Sequence, residues 1–296
     1  ILDGFRGLVE NRTMPMDSHL VSGILTHGGT ILGTSRDKPR KMIMGGEEMD
    51  MTEAAVKNAQ RLGIDCLVCL GGGGTQKNAL HLHKAGLNVL TLPKTIDNDV
   101  PETDISFGFD TAMAIATEAI DRLHTTASSH QRLIVCEIMG HNAGWLALGA
   151  GMAAGADVIL IPEIAYDLNV VAKYLLDRRR SGKRFSLIAL AEGAHTADGK
   201  YGAAQAKSKK PKKAMAVEVD EALPMVEEPK ASRLARNLQQ LTGIEARVTS
   251  LGHVQRGGIP TPTDRLLCTR LGAKAAKLLA QGVYNVMVAV KGDQCV

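Results

Sequence analysis

An α/β protein with mostly parallel sheets is predicted by two features of this sequence. The first is a set of short apolar runs, each the length of a buried strand: Cys66–Leu70, Asn88–Leu92, Leu133–Ile138, Val158–Ile161 and Leu187–Ala191. Around them, turns rich in glycine or polar residues alternate with helical stretches, the strand–turn–helix rhythm of a parallel sheet covered by helices. The second is what lies just past the runs: Gly71–Gly74, Thr95–Asp99, Met139-Gly140-His141 and Glu192-Gly193. Ligands of such folds gather at the carboxyl ends of the strands, so these segments are the first functional clue.

Taken in order, Ile1 is expected to open directly on a strand. Asp50 precedes a helix over Thr52–Leu62, with Glu53 at the capping-box position and Gly63 as its stop. After the run Cys66–Leu70 and the four glycines, a second helix is predicted from about Thr75 to Ala85, closed by Gly86. The run Asn88–Leu92 leads into Pro93-Lys94-Thr95-Ile96-Asp97-Asn98-Asp99. Residues 196–232 differ from the rest: a lysine cluster around Lys207–Lys213 is followed by an acidic, proline-bearing stretch. They read as a solvated surface insertion, the alternative being a basic patch for an anionic effector.

Of the 296 residues, 45% are hydrophobic and 22% charged, the balance of a globular protein with a large core. No run of about 20 apolar residues occurs, which argues against a membrane span. With 3% aromatic residues and a net charge of +4, a nucleic-acid surface is not indicated. Five cysteines form no disulfide framework. Cys66 and Cys69, three apart on a strand, point to opposite faces and are expected to be buried thiols. Reduced thiols and the absence of a visible signal peptide lead to an expected cytoplasmic location. The chain, which opens on Ile1 and closes just after a strand at Val296, is expected to be cut at both ends.

Four segments carry chemistry. In Gly71-Gly72-Gly73-Gly74-Thr75, a strand runs into glycines at a helix start, which brings bare backbone N–H groups towards an anion such as a polyphosphate. A tight turn alone would also use glycines. In Thr95–Asp99, a hydroxyl and two carboxylates follow Lys94. One acid can accept a proton and the other can help hold Mg²⁺, although ordinary turns also favour Asp and Asn. Arg132, Arg247, His253 and Arg256 stand near strand ends. Guanidinium forks match phosphate oxygens, while any single one suits a surface ion pair equally well. His81 and His83, two apart on a helix, diverge and are not expected to share a metal.

The strings Pro-Lys-Thr-Ile-Asp-Asn-Asp (93–99), Ser-Ser-His-Gln-Arg (128–132), Met-Gly-His-Asn-Ala-Gly-Trp (139–145) and Gly-His-Val-Gln-Arg-Gly-Gly (252–258) resemble the signature segments of phosphofructokinases, in the same order. The resemblance runs over nearly the whole chain and implies two similar lobes. Residues 1–108 with 255–296 would form the phosphoryl-donor lobe, and 109–254 the fructose 6-phosphate lobe. It implies Asp97 as the base for the sugar's 1-hydroxyl, Thr95 as the residue that holds that end of the substrate in catalysis, and Asp99 as a Mg²⁺ ligand. Met139, Gly140 and Glu192 would border the sugar, and His253 and Arg256 would grip its 6-phosphate. Arg132 and Arg247 would come from a neighbouring subunit of a homo-oligomer, a dimer or tetramer. On the donor side it implies Gly71, Gly72, Gly73, Gly74 and Thr75 at the phosphates with Arg36 and Lys94, and Phe5 near the base.

The resemblance also bears on the donor. Glycine at 74 leaves room for a nucleotide and implies ATP, whereas Lys94 is shared with pyrophosphate-dependent members. Two positions depart from the family's pattern: Gly73 stands where an aspartate usually helps with Mg²⁺, and His141 where an arginine faces the transferring group. The family's first strand and Gly-Gly-Asp loop would precede Ile1. The expected reaction is therefore ATP-dependent phosphorylation of fructose 6-phosphate in glycolysis. The alternatives are a pyrophosphate-dependent enzyme and a non-catalytic sugar-phosphate-binding subunit.

Overall fold

A computed structural model describes residues 1–199 and 229–296. Most of the segment 196–232 singled out in the sequence therefore lies outside the described residues. In chain order the elements are α1 (Gly4–Val9), β1 (Met42–Met44), β2 (Glu47–Met49), α2 (Thr52–Arg61), β3 (Leu67–Gly71), α3 (Gly73–Lys84), β4 (Val89–Pro93), α4 (Phe109–His130) and β5 (Leu133–Ile138). They continue with α5 (Trp145–Ala153), β6 (Val158–Leu160), α6 (Leu168–Arg180), β7 (Ser186–Ala191), α7 (Lys230–Thr242), β8 (Ala246–Ser250), α8 (Pro262–Ala280), β9 (Val286–Met287), β10 (Val290–Lys291) and β11 (Gln294–Cys295). A 3₁₀ turn, Gly252–Arg256, links β8 to α8.

The chain divides into two compact units, residues 1–112 with 256–296, and residues 113–255. The first is built on a parallel sheet ordered β3-β4-β9. β4 is buried along its whole length. On it lies a core of Leu90, Leu92, Leu267, Leu271 and Val288, with a second cluster around Leu8, Met42 and Leu82. The hairpin β1–β2 turns on Gly45 and Gly46, both at positive φ, as a tight two-residue turn demands. The second unit holds a four-stranded parallel sheet ordered β6-β7-β5-β8. Its central strands β5 and β7 are buried almost throughout, so they read as continuous apolar runs without alternation.

Several local expectations are corrected. Ile1 opens no strand: Leu2 N–H bonds Arg12 O, and Asp3, in the left-handed region at φ 52°, turns the chain into α1. The capping box at α2 does not form, because Glu53 reaches forward to Lys57 at 2.5 Å while Asp50 accepts from Thr52 N–H at 2.9 Å. α3 begins two residues earlier than predicted and takes in Gly73 and Gly74. All five cysteines are free, and burial pushes the Cys69 and Cys136 thiols up to about 12. Among the described residues no helix is long and apolar enough to cross a membrane.

Candidate active site

In the first unit, two loops leave the carboxyl ends of the neighbouring strands β3 and β4. Gly71 closes β3, and a Cβ there would lie 2.1 Å from Thr75 Oγ1, so packing itself requires glycine. Gly73 and Gly74, the first two residues of α3, are different: a Cβ at either meets no atom within 4 Å. Glycine disfavours helix by about 0.5–1 kcal/mol relative to alanine, so packing does not explain this pair. What the pair leaves open is a helix N-terminus with unobstructed backbone N–H groups, a setting for a polyphosphate. The second loop lies alongside: Lys94 N–H bonds Gly71 O at 3.0 Å, and a Cβ on Gly72 would come 3.4 Å from that of Thr95.

The Thr95–Asp99 turn is held from within and from behind. Thr95 Oγ1 accepts from Asp97 N–H at 3.1 Å. Asn98 sits at φ 53°, and its Oδ1 accepts from Ser106 N–H at 2.7 Å. The fully buried Ser106 hydroxyl donates to Thr95 O at 2.8 Å. Behind Ser106, Asp264, 2% exposed, accepts from Gly108 N–H, Thr111 N–H and Thr111 Oγ1 at 2.9, 2.8 and 2.5 Å. This carboxylate, brought from the first turn of α8, caps the start of α4. Sequence reading missed Asn98, Ser106 and Asp264, although Thr261-x-x-Asp264 is a visible capping signature.

The remaining donor-side residues are more dispersed. Lys94 keeps a water-facing surface, yet its ammonium pKa is pushed below the usual lysine value, first by desolvation and then by the Arg256 guanidinium. Two cations held together this way make a setting for an anion. Phe5 is half-buried against the core cluster of Leu8, and Arg36 is exposed. Asp99 is exposed at the end of its turn.

In the second unit, the exits of β5, β7 and β8 meet at the carboxyl edge of the sheet. Three consecutive backbone donors beyond β5 are claimed by side chains from the other two exits. Met139 N–H bonds Gln255 Oε1 at 2.7 Å, and Gly140 and His141 N–H bond Glu192 Oε1 at 3.2 and 2.7 Å. No hydrogen bond is made to Glu192 Oε2 among the described residues, which leaves that oxygen to accept from a hydroxyl. A Cβ at Gly140 would lie 2.5 Å from Ala143 O, and one at Gly193 2.2 Å from His141 O. Both positions admit only glycine. Met139 is buried at this edge, while His141, at φ 52°, and His253 are exposed. Arg256 is exposed at the end of the 3₁₀ turn.

Arg132 and Arg247 do not join this cluster. Arg132 precedes β5, at the amino end, roughly 20 Å along the strand from Met139. Arg247 pairs across from Ile134, near the same amino end. Both arginines hold Glu245: Arg132 Nε donates to it at 2.9 Å, and Arg247 is its second ion-pair partner. The bond from Arg132 is the main reason the Glu245 carboxyl lies below its ordinary pKa. Both therefore stand apart from the carboxyl-edge cluster of their own chain. Among the described residues no group of three or more His, Cys, Asp or Glu could hold a metal by itself. His81 Nε2 lies 3.0 Å from Thr52 Oγ1.

Comparison with known proteins agrees with this layout. The family model described as Phosphofructokinase matches residues 1–279. The chain is 53% identical over 297 residues to the ATP-dependent 6-phosphofructokinase of Propionibacterium freudenreichii subsp. shermanii, covering 98% of this chain and 80% of that protein. It is 46% identical over 293 residues to ATP-dependent 6-phosphofructokinase 3 of Bacteroides thetaiotaomicron, covering 99% and 79%. Among solved structures, Pichia pastoris phosphofructokinase in the T-state superposes with a TM-score of 0.82 at 28% identity, over all of this chain and 30% of that longer one. The pyrophosphate-dependent phosphofructokinase of Marinobacter aquaeolei shares the fold, with a TM-score of 0.72 at 22% identity over 99% of this chain and 69% of that one. This chain belongs to the phosphofructokinase family.

Proposed function

We propose that this protein transfers the γ-phosphoryl group of ATP to the 1-hydroxyl of fructose 6-phosphate, giving ADP and fructose 1,6-bisphosphate, a reaction of glycolysis in the cytoplasm. The observation that carries this reading is the whole Thr95–Asp99 turn, locked in place by Asn98 and Ser106, in a chain 53% identical to a protein named ATP-dependent 6-phosphofructokinase. A protein that only bound a sugar phosphate would have no use for a positioned proton acceptor.

In this reading the residues divide the work as follows. Asp97 accepts the proton of the 1-hydroxyl as it attacks, and Thr95 orients the Asp97 backbone. Glu192 Oε2 accepts from a sugar hydroxyl while its other oxygen stays bound to the loop after β5. Met139 and Gly140 wall the ring, and His253 and Arg256 bind the 6-phosphate. Gly71–Thr75 offer N–H groups to the donor phosphates, and Lys94 and Arg36 balance their charge. His141 faces the transferring group as a hydrogen-bond donor. Phe5 lies by the base, and Gly74 leaves the space a nucleotide needs. Phosphoryl transfer asks mainly for alignment and charge neutralisation, which these positions supply.

The donor set suits Mg²⁺ in the mode where phosphate oxygens and waters supply most of the ligands and one or two carboxylates the rest. Asp99 would be that carboxylate, with Asp97 beside it, and the ion would neutralise phosphate charge. Arg132 and Arg247, at the amino edge, would serve the 6-phosphate of a neighbouring copy in a homo-oligomer.

The test is a coupled assay for fructose 1,6-bisphosphate with ATP and pyrophosphate supplied separately. Turnover is expected with ATP, and Asp97→Asn is expected to lower kcat by about 100- to 10,000-fold, the usual range for a positioned general base. Turnover with pyrophosphate alone would overturn the donor assignment, and sugar-phosphate binding without turnover would overturn the kinase.

A further inference from the structure

Gln255 is a buried polar group that the reaction described above leaves unused. Its side chain is 1% exposed. Oε1 accepts from Met139 N–H at 2.7 Å, and Nε2, also buried, makes no hydrogen bond among the described residues. The residue belongs to the 3₁₀ turn Gly252–Arg256. In that helix residues three apart eclipse one another, so His253 and Arg256 stack on one face. Gln255 is rotated away from them into the interior. The exposure agrees: His253 and Arg256 face water, and Gln255 between them does not. One face of a single turn thus carries two candidate phosphate ligands, and the other carries an anchor to the loop that walls the sugar.

We infer that Gln255 is a positioning residue for the sugar phosphate: its Oε1–Met139 bond sets the spacing between the ring-binding loop after β5 and the phosphate-binding turn after β8. The inference rests on the fructose 6-phosphate reading. A hydrophobic side chain of equal length would fill the same space but leave Met139 N–H buried and unpaired, freeing the loop to shift. A glutamate keeps an acceptor oxygen in either protonation state. The effect falls on the sugar and not on ATP, because the bonded pair, Met139 and Gln255, lies at the second unit's sheet edge, whereas Gly71–Thr75 belong to the first unit.

The experiment compares Gln255→Met and Gln255→Glu with the unaltered protein, measuring KM for fructose 6-phosphate and for ATP, fructose 6-phosphate binding by calorimetry, and thermal melting. The expected result is a sugar KM raised about 10-fold or more in Gln255→Met and restored to within about 3-fold in Gln255→Glu, with the ATP KM changed by less than about 2-fold. An unchanged sugar KM in Gln255→Met would overturn the inference. So would a parallel loss for sugar and ATP that tracks the melting temperature, since that marks a merely structural residue. Calorimetry separates the two levels: no fructose 6-phosphate binding by the unaltered protein overturns the function and this inference together, whereas binding and turnover with indifferent variants overturn the inference alone.

Discussion

The carboxyl edges of the two sheets solve opposite problems. Beyond β3, Gly73 and Gly74 have empty space where a side chain would be. Beyond β5, the three successive N–H groups of Met139, Gly140 and His141 are already bound by Gln255 and Glu192. Glycines occur at both edges, for unlike reasons: Gly140 and Gly193 are demanded by backbone atoms at 2.5 and 2.2 Å, whereas packing demands neither Gly73 nor Gly74. A polyphosphate is a dense anion that bare N–H groups can hold directly, so its site gains from an open helix end. A sugar is recognised by hydroxyls at fixed positions, so its site gains from loops tied down beforehand.

Substitutions can break or sharpen this contrast. The largest effect is expected at Gly193→Ala, where a Cβ would overlap His141 O. Destabilisation of about 2–4 kcal/mol should appear in a denaturant melt, with sugar turnover lost as the loop moves. A melt like that of the unaltered protein would mean the loop is softer than its contacts indicate. Next is Gly74. Gly74→Ala should leave stability unchanged or raise it by up to about 1 kcal/mol, because the site is open and glycine is the poorer helix former. Gly74→Asp should raise the ATP KM about 10-fold or more by setting a carboxylate against the phosphates, with sugar binding spared. An ATP KM untouched by Gly74→Asp would place the nucleotide elsewhere.

The smallest effect concerns pH. Desolvation and Arg256 both favour the neutral amine of Lys94, so its folded pKa lies below the ordinary lysine value. Its charge is lost as the pH rises through that lowered value, earlier than for an ordinary lysine. The ATP KM should therefore rise about threefold or more on the alkaline side, and Lys94→Arg, whose guanidinium stays charged, should flatten that limb. A limb unchanged in Lys94→Arg would assign it to another group.

Much of this was legible in the chain because the signals are local. Buried parallel strands read as apolar runs, and the candidate loops follow them directly. The misreadings were at boundaries. Four glycines suggested a turn ahead of the helix, yet Gly73 and Gly74 are its first two residues, because the Gln76 N–H bond to Gly72 O closes the first helical turn around them. Glu53 had the spacing of a capping box but found Lys57 one turn on. Arg132 was visible just ahead of the run Leu133–Ile138, while its ion pair with Glu245, 113 positions further on, was not.

The sequence by itself determined the α/β class, five of the seven strands that build the two parallel sheets, the family, and the loops that carry the candidate chemistry. These follow from periodicity and motif, which are properties of neighbours in the chain. Only the tertiary structure decided what holds those loops. Asp264 reaches Thr111 across 153 positions, Gln255 reaches Met139 across 116, and Glu192 reaches His141 across 51. A buried amide or carboxylate must find its partner wherever the fold presents one, and no local pattern in the chain records which partner that will be.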